Sequence, residues 1–335
     1  MKAKSIKNAK PIKNAKSITP ELIEKWTCKW IGLEANTVSD IYHCVRKNGQ
    51  RTKNGQHAIE STESTESTGS RGDLNILPTE TLVNVVLHLD VISVAALRRV
   101  NRSFMSVVDR IPEYRMVNQF CPRIIRDIVS LGAKHFDFAT LHKTLCEKHC
   151  VSCGNIGGYI YLITCLRVCY VCFANEHRFC PMLAKYAREV TGCSKKELEQ
   201  LPHIRSVQGR YAANGVMCQN RVTLWDRETV RSIQTTTAPT SERNERIHNN
   251  PHRFMAIVSA PYVESVPNSN PPSKVAKWGL YCLGCSDSQE ADTHFRKQYT
   301  EQSFVDHIIL HGPVIADARR PRHAPPKRAA LDMSS

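Results

Sequence analysis

The feature that most constrains this 335-residue chain is an apolar run between positions 77 and 117 that is too short to enclose itself. Leu82, Val85, Val86 and Leu89 recur at i, i+3, i+4 and i+7, the spacing of one helical face. Pro78 suits a first helical turn, and Glu80 lies near the positive end of that helix's dipole. Asp90 predicts the N-cap of a second helix. Val94, Leu97, Val100, Phe104 and Val107 or Val108 continue the stripe until Pro112, which is expected to close the segment. Two or three short helices are predicted. Domains below about 40 residues usually need a metal, a disulfide or a partner, so this seam predicts a cover from another molecule.

The same stripes also suit the core of a small helical hairpin. A hairpin does not explain the Leu-Pro-x-Glu opening (Leu77, Pro78, Glu80) together with the ending Leu97, Arg98, Val100, Asn101, Arg102 and Phe104. On these residues the chain resembles the F-box. The resemblance implies docking onto the Skp adaptor of a cullin-based ubiquitin ligase, with the chain as substrate receptor for an unknown target protein. Leu77, Pro78, Leu82, Val86, Leu89, Leu97 and Val100 would carry the docking face. If Leu82 and Leu89 lie desolvated there, truncating either to alanine should cost about 2–4 kcal/mol of binding.

Charge argues about partners in the same direction. The net charge is +15, but Lys2 to Lys16 contribute six positive charges without an acid and Arg319 to Arg328 five more. The body is only mildly basic, whereas a nucleic-acid-binding fold should carry its basic patch on the folded domain. A lysine-rich opening without an apolar core does not read as a secretory leader, and no apolar run reaches membrane-spanning length. These features predict a soluble intracellular protein of the nucleus, the cytoplasm or both, with no membrane partner.

Composition and punctuation divide the chain. Residues 1–70 carry Ile-Lys-Asn-Ala-Lys, Lys-Asn-Gly-Gln and Ser-Thr-Glu repeats and are expected to be mostly disordered, with one short helix somewhere between Glu21 and Val45, where Trp26, Trp30, Ile31 and Leu33 fall. The helical F-box-like unit takes 71–118, and a helical linker with a cysteine-rich domain takes 119–232. A flexible linker is expected over 233–252, a C-terminal segment over 253–316 and a basic disordered tail over 317–335. Ser194 and Glu197 have capping-box spacing, and Phe254 to Val263 reads as one buried strand. The fold class expected is α+β, a short helical unit followed by a small zinc-stapled body.

Fourteen cysteines in a reducing compartment predict metal ligands rather than disulfides. Cys150-x2-Cys153 and Cys169-x2-Cys172, with fifteen residues between the pairs, have four-cysteine zinc spacing. Tetrahedral thiolate ligation at about 2.3 Å needs two such knuckles brought together. Gly154 supplies a permissive backbone, and Gly157 to Ile163 predicts the returning strand. Cys165 or Cys146 could replace one member. A second set, Cys282-x2-Cys285 with His307-x3-His311, has 21 residues between its halves, too many for an ordinary DNA-reading finger. His307 and His311 at i and i+4 would share a helix face, as joint ligation requires. Both centres would be structural, since four protein ligands leave no open position for water.

The cysteine run from Leu145 through Cys150, Cys153, Tyr161, Cys165, Arg167, Cys169 and Cys172 is similar to that downstream of the F-box in many filamentous-fungal F-box proteins. The Gly-Leu-Tyr-Cys-x-x-Cys segment and Phe304, His307, Gly312 and Pro313 resemble their C-terminal part. The resemblance implies a non-catalytic ligase subunit and names no target. A zinc-dependent nucleic-acid-binding protein with basic tails is the alternative, and it would bind with steep salt dependence. A RING of the chain's own would need a further pair of ligands after Cys172, and no phosphate loop, Gly-x-Ser-x-Gly or His-Glu-x-x-His occurs.

Overall fold

Local capping chemistry sets the helical half of the molecule. Asp90 accepts from the backbone amides of Ile92 (2.9 Å) and Ser93 (3.0 Å), and Asn101 from that of Phe104 (2.8 Å). These caps cut the apolar run into three helices, Thr79–Leu87, Val91–Leu97 and Arg102–Arg110. Arg98 holds Asp109 through two hydrogen bonds of 2.7 and 3.0 Å, clamping the second helix to the third. The structure is a computed structural model that describes residues 18–28, 77–211, 216–233, 250–270, 273–285, 294–315 and 321–324.

Pro112 opens a helix rather than closing the segment. It occupies the first turn of Pro112–Phe120, as Pro122 does in Pro122–Leu131, because the missing N–H has no intrahelical acceptor at that position. Gly132, at φ +66°, ends the latter helix in the left-handed region. Asp137 caps Phe138–Cys146, and Phe138 donates its amide to the Leu89 carbonyl at 2.9 Å. Leu82, Val86, Val94, Phe104 and Val108 belong to the same apolar cluster as Ile128, Leu141, Tyr161, Phe173 and Val258. The three helices between Thr79 and Arg110 and the body therefore share one core.

The body is built on short antiparallel strands. Tyr159–Tyr161 is the middle strand between Leu166–Val168 and Ile257–Ser259, and its three residues are buried. A second sheet of Met182–Leu183, Thr223–Trp225 and His203–Arg205 covers a smaller core around Trp225 and Leu198. The Ser194–Glu197 capping box starts the helix Lys195–Leu198. In place of one strand over 254–263 there is a helix Pro251–Met255, capped by Asn250, then strands Ile257–Ser259 and Tyr262–Ser265. Pro251 at the first helical turn and Pro261 between the strands impose those breaks.

A third cluster joins the two ends of the described chain. Ile18 and Trp26, on and beside the helix Pro20–Trp26, pack with Tyr299, Phe304 and Ile308. The strand Thr27–Cys28 pairs with Leu280–Cys282, which pairs in turn with Gln298–Tyr299. The helix Glu301–His311 follows, then a hairpin of Val314–Ile315 with Arg322–His323. The last strand lies within the segment read from sequence as a basic tail. Residues 317–320 and 325–335 of that tail, the low-complexity repeats and most of the 233–252 linker lie outside the described residues. The fold is α+β, and among the described residues no helix is long and apolar enough to cross a membrane.

Candidate docking face and metal centres

The seven residues expected to carry the docking face divide by burial. Leu82 is 5% exposed and Val86 1%, both turned into the shared core. Leu89 and Leu97 are half-buried and pack against it. Pro78 is exposed, Leu77 is 37% exposed and Val100 64%. Val85 and Met105 add exposed apolar surface on the same three-helix unit. Helical periodicity locates the apolar side chains but does not separate those facing inward from those facing outward, because the helix of Leu82 and Val86 packs against Arg102–Arg110 and Phe138–Cys146, outside its own segment.

The first cysteine set converges. The Sγ atoms of Cys150, Cys153, Cys169 and Cys172 all lie within 4.8 Å of one another. Cys153 and Cys169 are 3.7 Å apart, close to the ~3.8 Å edge of a tetrahedron with 2.3 Å arms and far from a disulfide. The knuckle is a tight loop: Gly154 donates to the Cys150 carbonyl (2.9 Å) at φ +70°, and Val151 donates to Arg167 on the adjoining strand (3.0 Å). The other knuckle leaves the strand Leu166–Val168, where Cys169 caps the helix Tyr170–Asn175 and accepts from the Cys172 amide at 3.4 Å. Asn155 Nδ2 donates to Cys153 Sγ at 3.2 Å. A hydrogen bond from the Cys169 thiol, with backbone amides of Ser152, Cys153 and Cys169, holds the Cys150 thiol far below its ordinary value. Cys169, the donor to Cys150, is pushed up correspondingly. The pocket thus already favours one thiolate, the form that binds metal.

Neither reserve cysteine joins this set. Cys165 sits in the turn between strands, buried, with its Sγ 3.7 Å from Thr144 Oγ1, and burial pushes its thiol up to about 12. Cys146 is exposed and lies 3.7 Å from His142 Nε2. Arg167 ties the surrounding loops together. Its buried guanidinium donates to the carbonyls of Thr144, Gly157, Ala260 and Pro261 at 2.7–3.2 Å.

The second set consists of Cys282, Cys285, His307 and His323. His323 takes the position expected of His311. Its Nε2 lies 3.3 Å from both Cys282 Sγ and Cys285 Sγ, and His307 Nε2 lies 3.3 Å from Cys285 Sγ. His311 does share a face with His307, their ring centroids 4.5 Å apart, but it is one turn further along the helix. The terminal hairpin delivers the closer imidazole. His323 Nδ1 donates to the Gly312 carbonyl at 2.7 Å, which fixes the tautomer and leaves the Nε2 lone pair facing the sulfurs. Gly284 makes room for that ring, since a Cβ there would meet His323 Cδ2 and Nε2 at 2.9 Å. Hydrogen bonds from Cys285, His307 and His323 hold the Cys282 thiol far below its usual range. A thiolate and imidazole set of four suits zinc, whereas oxygen ligands would suit magnesium or calcium.

Residues 74–116 match the family model of the F-box domain, which spans the three helices and the start of the fourth. No curated protein and no solved structure matches the chain.

Proposed function

From the F-box domain at residues 74–116 we propose that the chain is the substrate receptor of a Skp-cullin-F-box ubiquitin ligase. It binds the Skp adaptor through the exposed side of the three helices between Thr79 and Arg110 and presents its body to a target protein inside the cell. The docking surface is made up of the exposed Leu77, Pro78 and Val100, with the exposed Val85 and Met105 of the same three-helix unit and the half-buried Leu89 and Leu97. Leu82 and Val86 act indirectly, by holding the helices on the body. The chain performs no chemistry of its own; ubiquitin transfer belongs to the other subunits.

Zinc at both centres is structural in this reading. The first centre pins the loop after Cys146 to the central sheet, and the second pins the terminal hairpin to the strand Leu280–Cys282. Structural zinc in small finger peptides contributes ~10–16 kcal/mol at neutral pH. The core around the second centre, with seven buried apolar residues besides Cys282 and Cys285 among the described residues, is of a size that benefits from such a tie. The observation that carries the proposal is the F-box match on helices that leave Leu77 and Val100 exposed. Co-purification with the Skp adaptor and a cullin tests it: the wild-type chain should be captured, and Leu77→Asp with Val100→Asp should abolish capture while the melting temperature holds. Undiminished capture by that double variant would refute the docking surface.

A further inference from the structure

We propose that Cys153 is an oxidative modification site: hydrogen peroxide joins Cys153 to Cys169 as a disulfide and releases the ion of the first centre, while the second centre keeps its own. The inference rests on the reading that both centres hold zinc and goes beyond it by giving them different fates. Attack of a cysteine on peroxide needs access and thiolate character. Among the described residues two cysteines are exposed, Cys146 and Cys153. Cys146 belongs to neither ligand set, and desolvation holds its thiol above the ordinary value, so it meets one condition only. Cys153 meets both once zinc is bound, because a ligating cysteine is deprotonated.

The geometry supplies the second sulfur. Cys169 Sγ lies 3.7 Å from Cys153 Sγ, and an S–S bond measures about 2.05 Å, so an approach of roughly 1.7 Å closes the pair. The loop that must yield is the exposed side of the knuckle, where Gly154 sits at φ +70° and Asn155 donates to Cys153 Sγ at 3.2 Å. The second set is protected. Cys282 and Cys285 are 4% and 3% exposed, and its other two members are imidazoles, which form no disulfide.

The Cys153 thiolate attacks one peroxide oxygen, the O–O bond breaks, and hydroxide leaves to become water with a solvent proton, giving a sulfenic acid. The Cys169 thiolate then attacks that sulfur. The S–S bond forms, the S–O bond breaks, and a second hydroxide leaves as water. The two sulfurs together lose two electrons and peroxide gains them. Cys150 and Cys172 remain, two ligands where zinc takes four, so the ion is lost. The knuckle, which carries the exposed Val151, is then held by one covalent link in place of four ligand bonds, and the surface of the body beside it follows the redox state.

The test starts from the zinc content of the full chain. Fewer than two ions overturns the metal reading and this inference together, whereas two ions leave that reading standing and the next step judges the inference alone. The loaded chain is titrated with hydrogen peroxide, zinc release is followed with a chromogenic chelator, and the cysteines are mapped by alkylation and mass spectrometry. One of the two ions should be released, in step with a Cys153–Cys169 disulfide, and dithiothreitol with added zinc should restore it. Cys153→His supplies a fourth ligand without an oxidisable sulfur and should keep both ions in peroxide; if that variant fails to load two ions, the map of the wild type decides. Release of both ions at one rate, earlier release from the second centre, oxidation of Cys146 with both ions retained, or a disulfide that omits Cys153 would overturn the proposal.

Discussion

Replacing Leu82 and replacing Val100 should have opposite signatures. Leu82 is 5% exposed inside a core shared with the body, so Leu82→Ala removes three carbon atoms from a filled space. Burial lost plus the residual cavity costs about 2–5 kcal/mol for such a change. At roughly 2–4 °C per kcal/mol for a domain of this size, a mid-range loss of about 3 kcal/mol lowers the melting temperature by about 6–12 °C. Val100 is 64% exposed, and Val100→Ala should move stability by no more than about 0.5 kcal/mol. Thermal melts of the isolated chain with metal in excess measure both, and adaptor binding is then titrated at a temperature where each variant is folded. Leu82→Ala should melt early yet bind once folded, and Val100→Ala should melt normally and bind weakly. The reasoning fails if Leu82→Ala melts like the wild type while losing the adaptor, since Leu82 would then face outward.

Other perturbations test the body. His323→Ala should reduce bound zinc from two ions to one, whereas His311→Ala should leave two, as measured by elemental analysis of the desalted protein. Gly284→Ala should mimic His323→Ala, because the added Cβ collides with the imidazole. Arg167→Leu strands the carbonyls of Thr144, Gly157, Ala260 and Pro261 and should cost about 3 kcal/mol or more in urea unfolding. Burial, with the nearby His203, pushes His135 down to about 4, so the fold favours its neutral form. Its contribution is complete above the unfolded value of about 6.5 and is lost as pH falls towards 4. His135→Asn should therefore lose less stability than the wild type over that window, measured as the difference in urea midpoints at saturating zinc.

What could be read from the residues alone follows how local the determining physics is. The Asp90 cap, the Ser194–Glu197 box and the Cys150 and Cys169 pairs act within a few residues, and each takes its expected place. His323 was illegible because it reaches the sulfurs through a hairpin whose return strand is two residues long and sits among arginines. His311 has the helical spacing expected of a ligand, but spacing does not report which imidazole a distant segment brings nearer. Pro112 reads as a stop, yet proline serves equally at a helix start, and only the next apolar face, Met116 with Tyr114 and Val117, decides between them. The inward turn of Leu82 and Val86 likewise depends on helices beyond residue 112, which no window over the seam contains.

In the proposed reading, residues 74–116 dock the Skp adaptor from outside the shared core. Light scattering on a size-exclusion column, with the purified zinc-loaded chain mixed with the adaptor alone, tests it most directly. A one-to-one complex that disappears with Leu77→Asp and Val100→Asp is the predicted result. Separate elution of two folded proteins, or a complex indifferent to both substitutions, would contradict it.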